Sequence, residues 1–298
     1  MANLYGNATQ AYSDPYLTIA EYKQAPTAID YNNLVVASSD PDVQDAELAN
    51  VIARASSWID GFCNQVLAAT VETEQQRARL RPDGFLTIHP NFDPLIAVTS
   101  LSYGITPTQL VSFPDMSVGW IEDHQFIMPY TTANISYSSQ GPLQFGMPAI
   151  PRASVFCKYT YIAGYANTTI NAVANVGATS LTVKSGAGII AGSSLTIYDG
   201  KETEVITVAS NYVFGSTTVP LTSPLVYAHA VGDSISALPP AVKQAAILVT
   251  TAYLKVRGDY SLTMQVTNSA GQVSDNTASG NYDFALAKEL LYPYVRVR

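Results

Sequence analysis

Three arginines recur at every second position of one short segment. Arg77, Arg79 and Arg81 stand in the sequence QQRARLR. Alternate side chains of a β-strand lie on the same face, so this spacing predicts a row of cations along a strand. Such a row could bind a phosphate group or an acidic neighbour. We prefer the simpler interpretation of an exposed strand face, or one whose arginines pair with local acids.

The histidines and cysteines do not form a metal-binding pattern. His89, His124 and His229 are far apart in the sequence. Glu122-Asp123-His124 could be half of a metal site, but a solvated turn between strands is the better interpretation. For His229 we expect a structural role. Cys63 and Cys157 both have apolar neighbours, which predicts two buried free thiols rather than a disulfide or a metal site.

Two further segments match ligand-binding loops only in part. Gly186, Gly188 and Gly192 imitate a dinucleotide-binding loop, but their spacing is one residue too long and a strand follows. The segment from Asp275 imitates a calcium loop, but its twelfth position is Leu286 rather than Glu. Neither a Gly-x-Ser-x-Gly motif nor a phosphate-cradling Gly-x-x-x-x-Gly-Lys motif occurs in the sequence. We therefore predict no catalytic residue, no metal ligand and no cofactor.

The composition points to contacts with other protein surfaces. Charged residues make up 13% of the 298 residues, about half the usual share, and the net charge is −8. The 19 tyrosines suit interfaces, although they also favour strands. Residues 1–76 hold ten acids and two bases (−8), whereas residues 237–298 hold four acids and six bases (+2). This asymmetry favours head-to-tail contact between copies, and the acidic total disfavours gripping of nucleic-acid phosphates.

Four segments have the periodicity and end signals of helices. Thr18 and Glu21 form a capping-box pattern, and Asp40 precedes a helix predicted to reach Val66. A third helix is predicted from Pro239 to Gly258, and a fourth over NYDFALAKELLYP near the C-terminus. The second and third helices carry complementary apolar faces, so we expect them to pack together.

Strands dominate the middle of the chain. Residues 68–167 contain several strand candidates separated by prolines and glycines, and residues 168–236 contain short strands with turns but little helix signal. Within the latter, GATSLTVKSGAGIIAGSSLTI (177–197) and GSTTVPLTSPLVYAHAVGDSIS (215–236) form a near-repeat. We predict an α+β fold with a helical connector core and strands, into which a small all-β barrel or sandwich module is inserted. The predicted layout is an N-terminal arm (1–16), a core with a C-terminal tail (17–167 and 237–298) and the inserted β-module (168–236).

The order of these elements resembles the head–tail connector (adaptor) proteins of tailed bacteriophages. The matching segments are YLTIAEYKQ, ELANVIARASSWIDGFCN, PPAVKQAAILVTTAYLKVRGD and the terminal LLYPYVRVR, and the resemblance covers about residues 16–100 and 237–298. The β-module departs from the simplest members of that family, which are almost wholly helical.

The resemblance implies a specific role. Connector proteins form a ring, usually of twelve copies, beneath the portal protein, extend the channel for double-stranded DNA and present a surface to a neck or tail-completion protein. Their C-terminal segment typically docks on the portal. In this chain the corresponding portal-docking candidates are Glu289, Tyr292, Tyr294, Arg296 and Arg298. The implied location is the virion neck, after assembly in the host cytoplasm, without enzymatic activity.

Other features leave alternatives open. Leu262, Met264 and Val266 alternate within a long polar loop, so they are candidates for a hairpin arm between subunits. The N-terminus does not read as a signal peptide, and no apolar run reaches membrane-spanning length, so no membrane partner is expected. A second hypothesis is a tail or capsid decoration protein whose β-module binds a host glycan or protein. A virion hydrolase is a third, against which the sequence offers no framed pair of carboxylates.

Overall fold

A computed structural model of the chain describes residues 14–27, 29–32, 34–81, 84–129, 154–256 and 278–296. The described residues form two compact units. One unit is Ala69–Gly164, and the other comprises the described residues of Ser13–Ala68 and Tyr165–Arg298.

The first unit is built on a seven-stranded sheet in which all neighbouring strands are antiparallel. The strand order is β4-β3-β7-β1-β2-β6-β5. In chain order the strands are β1 (Thr70–Leu80), β2 (Phe85–Ile88), β3 (Leu95–Thr106), β4 (Gln109–Ser112), β5 (Trp120–Glu122), β6 (Gln125–Pro129) and β7 (Ser154–Ala163).

Alternating side chains give this sheet one buried face. On β7, Val155, Cys157, Tyr159 and Tyr161 are buried and belong to a core of this unit. The strand candidates read from residues 68–167 are therefore confirmed. The β5–β6 hairpin turns at Asp123 and His124, both with positive φ (47° and 61°), which confirms the turn predicted there.

The helices belong to the second unit. They are α1 (Ile19–Gln24), α2 (Pro41–Cys63), α3 (Pro240–Val256) and α4 (Ala278–Leu291). The capping box of α1 is present, and the Asp40 side chain accepts a hydrogen bond from the Asp42 N–H, as the sequence predicts. The predicted end of α2 at Val66 is wrong, because Asn64 adopts the left-handed conformation (φ 55°) and ends the helix at Cys63.

The helices α2 and α3 share one hydrophobic core, which confirms their predicted pairing. This helical core joins Leu48, Ile52 and Ile59 of α2 to Val242 and Val249 of α3, all almost fully buried. Residues of α1 and α4 complete it, including Tyr22, Ala287 and Leu291.

The six short strands of the β-module follow residue 166. They are β8 (Asn167–Thr169), β9 (Ser180–Thr182), β10 (Ser194–Tyr198), β11 (Glu204–Thr207), β12 (Thr218–Pro220) and β13 (Ser234–Ser236). One sheet has the order β11-β10-β13-β8, and β12 pairs with β9. A separate apolar cluster, which includes Ile189, Ile197, Val219 and Ile235, fills the module.

The near-repeat has a structural counterpart. Equivalent strands of the two copies pair with each other, because Leu181 of β9 lies opposite Val219 of β12, and Ile197 of β10 lies opposite Ile235 of β13. Equivalent turns also match: Gly177 and Gly215 have φ of 83° and 80°. Only glycine adopts such values without strain, so the repeated glycines maintain repeated turns.

The predicted fold class is wrong. Among the described residues four helices, the longest of 23 residues, accompany thirteen strands, so the chain is mostly β and is not organised as a helical connector core with added strands. The physical reason is that the strands of residues 70–163 pair into one sheet with its own buried cluster.

Candidate functional site

The helix α4 has one face in the helical core and one in solvent. Ala287 and Leu291 are completely buried, whereas Tyr282 and Tyr292 are 67% and 77% exposed. Tyr282, Ala285, Glu289 and Tyr292 are spaced by three, four and three residues, which places them on one side of the helix and of the turn that follows. We call these four residues the outer face of α4. Two large aromatic side chains in solvent on a short helix are typical of a contact surface.

Contacts on the inner side hold α4 firmly in place. Lys255 Nζ lies 2.8 Å from Asp283 Oδ2. The Phe284 ring packs 5.3 Å from Trp58 and 5.5 Å, edge-on, from Tyr253. These contacts give the outer face of α4 a rigid support.

The chain after α4 is fastened to the end of α2. A 3₁₀ turn spans Tyr292–Tyr294. The Gln65 side chain donates to the Tyr294 carbonyl (3.2 Å), and the Arg296 N–H donates to the Cys63 carbonyl (2.9 Å). The backbone of the terminal segment therefore has a defined path at least as far as Arg296.

The structure separates the predicted docking residues. Glu289 and Tyr292 lie together on the outer face of α4, whereas Tyr294 and Arg296 are half-buried beside α2, and Tyr294 packs against the helical core. Arg298, Leu262, Met264 and Val266 lie outside the described residues. Their assignment to docking and to inter-subunit contacts stays a prediction.

A buried ion pair connects the helical core with the β-module. Lys243 Nζ of α3 lies 2.8 Å from Glu21 Oε1 and 3.1 Å from the Ser234 hydroxyl, and 4.5 Å from the centre of the Tyr198 ring. Both charged side chains are almost completely buried. Burial lowers the pKa of Lys243, and the carboxylate of Glu21 opposes that shift. Sequence analysis missed this pair, although Lys243 stands within the apolar stripe of α3.

A second buried charged cluster lies inside the β-module. His229 Nε2 is 2.8 Å from Glu204 Oε1, and His229 Nδ1 is 3.3 Å from Asp199 Oδ2. Burial opposes ionisation of Glu204, yet hydrogen bonds from the N–H groups of Val226 and Tyr227 and from the His229 ring hold its pKa below the ordinary value. The predicted structural role of His229 agrees with this internal pairing of both ring nitrogens.

The same histidine belongs to a geometry that a metal ion could use. Asp199, His229 and Asp233 each offer a ligand atom within 4.8 Å of the others. However, Asp233 accepts a hydrogen bond from the Ala230 N–H, and both nitrogens of His229 already face carboxylates. A neutral imidazole that binds a metal needs an unprotonated nitrogen directed at the ion, so this arrangement fits a hydrogen-bonded cluster better.

The buried face of the sheet carries two acids, of which Glu74 is bound to two tyrosines. The hydroxyls of Tyr159 and Tyr161 donate to the two carboxylate oxygens of Glu74, at 2.8 and 2.6 Å. Burial and the Glu74 carboxylate raise the pKa values of both tyrosines, which therefore remain protonated donors. Burial also raises the pKa of Glu72, two residues earlier on β1.

Both cysteines are buried and free, as the sequence predicts. Burial raises the pKa of Cys63 to about 12 and that of Cys157 to about 12. Because the thiolate is the reactive form, neither thiol is suited to act as a nucleophile at neutral pH.

The arginine row lies on the face of the sheet opposite Glu72 and Glu74. Arg77 and Arg79 are exposed, and the Arg77 guanidinium lies 4.6 Å from the centre of the Phe156 ring on β7. A cleft of about 410 Å³ adjoins them. Its lining includes Arg77, Arg79, Arg81, Thr87, His89 and Gln125.

Comparison with known proteins does not identify a family for this chain. No family matches the chain, and no curated protein matches it. Among solved structures, a chain described as "Neck of empty GTA particle computed with C6 symmetry" is similar to this chain at a TM-score of 0.38 and 14% identity, over 98% of this chain and 95% of that chain. A similarity this weak establishes neither a family nor a shared fold.

Within the part of the chain that the structure describes, no helix has the length and apolar character needed to cross a membrane.

Proposed function

We propose that the chain is a non-enzymatic structural protein of a virion neck. In this proposal it acts as a head–tail adaptor, forming a ring of about twelve copies between the portal and the tail or neck proteins, around the passage for double-stranded DNA. The role follows from the sequence resemblance to phage connector proteins. Its support in the structure is that the segments with the most specific resemblance, α3 and the C-terminal segment, pack in one helical core with α2.

The observation on which the docking surface depends is the outer face of α4. Tyr282 and Tyr292 expose large aromatic side chains, while the inner contacts of Phe284 and Asp283 prevent the helix from turning them inward. Aromatic residues on a rigid support contribute strongly to binding, because little side-chain freedom is lost on association. Within this proposal the outer face of α4 contacts the portal, with Glu289 and Tyr292 as central residues.

Electron microscopy of the purified protein, alone and mixed with its portal protein, tests the ring. Rings seated on the portal support the proposal. A protein that remains monomeric by mass photometry and does not bind the portal contradicts it.

The docking surface has a separate test. The double variant Tyr282→Ser/Tyr292→Ser should weaken portal binding by at least about 30-fold, the equivalent of about 2 kcal/mol at an interface hot spot. The matched control is Tyr227→Ser, which removes an exposed tyrosine (40%) from the β-module. Equal portal affinity for the double variant and the control would exclude this surface.

One observation favours the second candidate, a decoration protein that binds through its β-module. The module exposes apolar side chains, among them Val205, Val213, Phe214 and Val226. Val213 and Phe214 are neighbours in the chain, and exposed apolar residues close together mark interaction sites in many proteins. Host-cell binding by the isolated protein, lost in Phe214→Ser but retained in Tyr292→Ser, would favour this candidate.

A further inference from the structure

The sheet of the first unit separates its charges by face. Along β1, Glu72 and Glu74 point to the buried side, whereas Arg77 and Arg79 point to solvent. Lys158 of β7 is exposed on the same side as the arginines, because it lies opposite Gln75, the outward-facing neighbour of Arg77. Residues two apart on a strand are separated by roughly 6.6 Å, so Arg77 and Arg79 form a row on β1, which Lys158 extends on the neighbouring strand.

This row has little internal compensation. Among the described residues, no carboxylate forms an ion pair with Arg77, Arg79 or Lys158. Two acids of the same sheet are engaged elsewhere: Glu74 with the two tyrosines and Glu122 with the Trp120 indole. The positive potential of the row is therefore directed outward.

The cleft beside the row offers further donors. Thr87 lies opposite Arg79 on β2, and its hydroxyl is buried with no hydrogen-bond partner among the described residues. His89 and Gln125 also line the cleft. Guanidinium groups, a hydroxyl and an amide around one opening form a set of donors that suits the oxygens of a phosphate.

An aromatic platform adjoins this cleft. A second cleft, of about 300 Å³, shares Arg81 and Gln125 with the first and is also lined by Phe85 and Trp120. The Trp120 ring is 41% exposed and packs edge-on against Phe85, with 5.4 Å between ring centres. Glu122 and Asp123 line this second cleft as well, so phosphates are favoured only over the first.

We propose that this face binds the phosphate backbone of a single-stranded nucleic acid, with Arg77, Arg79 and Lys158 on successive phosphates and Trp120 stacked on a base. Regularly spaced cations beside an exposed aromatic ring are the combination by which proteins hold single strands without reading their sequence. This site is independent of the proposed docking surface on α4.

A carboxylate-rich partner is less well supported. Two of the acids that a second copy could offer from α2 already have partners, since Asp45 pairs with Lys23 and Glu47 with Arg54. A phosphate backbone repeats its charge along the chain, whereas these acids do not present an unpaired row.

Fluorescence anisotropy of the full chain with a labelled 20-nucleotide oligo-dT, between 50 and 200 mM salt, tests the site. Three neutralised phosphates predict a slope of log affinity against log salt of roughly −2, because single strands contribute about −0.7 per contact. The double variant Arg77→Gln/Arg79→Gln should bind at least tenfold more weakly at 50 mM salt and reduce the slope by about 1.4.

Matched variants separate the row from the net charge. Arg54→Gln/Lys201→Gln changes the net charge equally at exposed positions of the other unit and should bind within twofold of the wild type. Arg77→Lys/Arg79→Lys keeps the charge and should keep the salt slope. Trp120→Ala should reduce oligo-dT affinity at least fivefold, as expected for one stacked base.

Three results would overturn the proposal. The first is the lack of binding at 50 mM salt by the wild type, and the second is equal weakening in the charge-matched control. The third is a loss of selectivity: either a 20-base-pair duplex binds as tightly as oligo-dT or more tightly, or polyglutamate displaces oligo-dT at equal charge concentration. Either outcome would show that the surface does not select single-stranded phosphate.

Discussion

The charged residues of the helical core and those of the arginine row differ in whether they have a partner of opposite charge within the described residues. Lys243 is buried and has its counterion, Glu21, at 2.8 Å, together with a hydroxyl and an aromatic ring. Arg77 and Arg79 are exposed, and within the described residues they lack an acidic partner. The buried charge of Lys243 is therefore used in contacts within the protein, whereas the exposed charges of Arg77 and Arg79 remain available to bind a ligand.

The strongest test of this difference is the removal of one member of the buried pair. Lys243→Met leaves Glu21 as an uncompensated buried carboxylate, so we expect the free energy of unfolding to fall by about 3–5 kcal/mol. Urea denaturation at pH 7 measures the loss.

Two comparisons accompany that measurement. The double variant Glu21→Gln/Lys243→Met should recover part of the loss, because the charge and its partner are then both removed. Lys23→Met breaks the partly exposed Lys23–Asp45 pair and should cost at most about 1 kcal/mol. Similar losses for Lys243→Met and Lys23→Met would contradict the distinction between buried and exposed charges.

Asp60 provides an intermediate case, a half-buried acid whose partner is the neutral hydroxyl of Tyr16. Burial raises the pKa of Asp60 to about 6, from an ordinary value of 3.8. The native state therefore binds more protons than the unfolded state between about pH 4 and pH 6, and stability falls as the pH rises through this window.

Asp60→Asn should remove this dependence. We expect it to raise the free energy of unfolding by about 1–2 kcal/mol at pH 7, and not to raise it at pH 4, where the Asp60 carboxyl of the wild type is largely protonated in the native state. Urea midpoints at pH 4, 5, 6 and 7 check this expectation. An unchanged slope in the variant would show that Asp60 is not the group responsible.

The smallest effect on stability is expected on the arginine row. Arg79→Ser should change the free energy of unfolding by less than about 0.5 kcal/mol, because the side chain is exposed and no described acid pairs with it. The urea midpoint at pH 7 is the measurement. A loss above 1 kcal/mol would mean that the row stabilises the sheet and would weaken the comparison with Lys243.

Local signals in the sequence were sufficient for the helices. The starts of α1 and α2 are capped by the side chains of Thr18, Glu21 and Asp40, which bind backbone groups no more than three residues away. The apolar stripe of α3 likewise identified its buried side correctly, with Val242, Ala245 and Val249 fully buried.

The sequence did not predict which distant segments of the chain pair with each other. The register that places Thr70 opposite Ala163 joins residues more than ninety positions apart, and strand alternation alone does not select a partner. For the same reason the sequence did not show that the described residues form more sheet than helix. The Glu21–Lys243 pair also joins distant segments, which is why the sequence did not reveal it.

The candidate sites were predictable in part. The two-residue spacing of Arg77 and Arg79 correctly placed them on one strand face, but the alternation could not show that Thr87 and Trp120 lie beside them. The resemblance points to the terminal segment for docking, which stays a prediction, and only the fold distinguishes exposed Tyr292 from half-buried Tyr294.

The pairing of equivalent strands in the β-module has a consequence for exchange between chains. Because Leu181 lies opposite Val219 and Ile197 lies opposite Ile235, strands of each half of the module pair with strands of the other half. This is the arrangement that a homodimer of a single half would have. Two chains that traded halves would form the same strand pairs, which is the geometric condition for domain swapping.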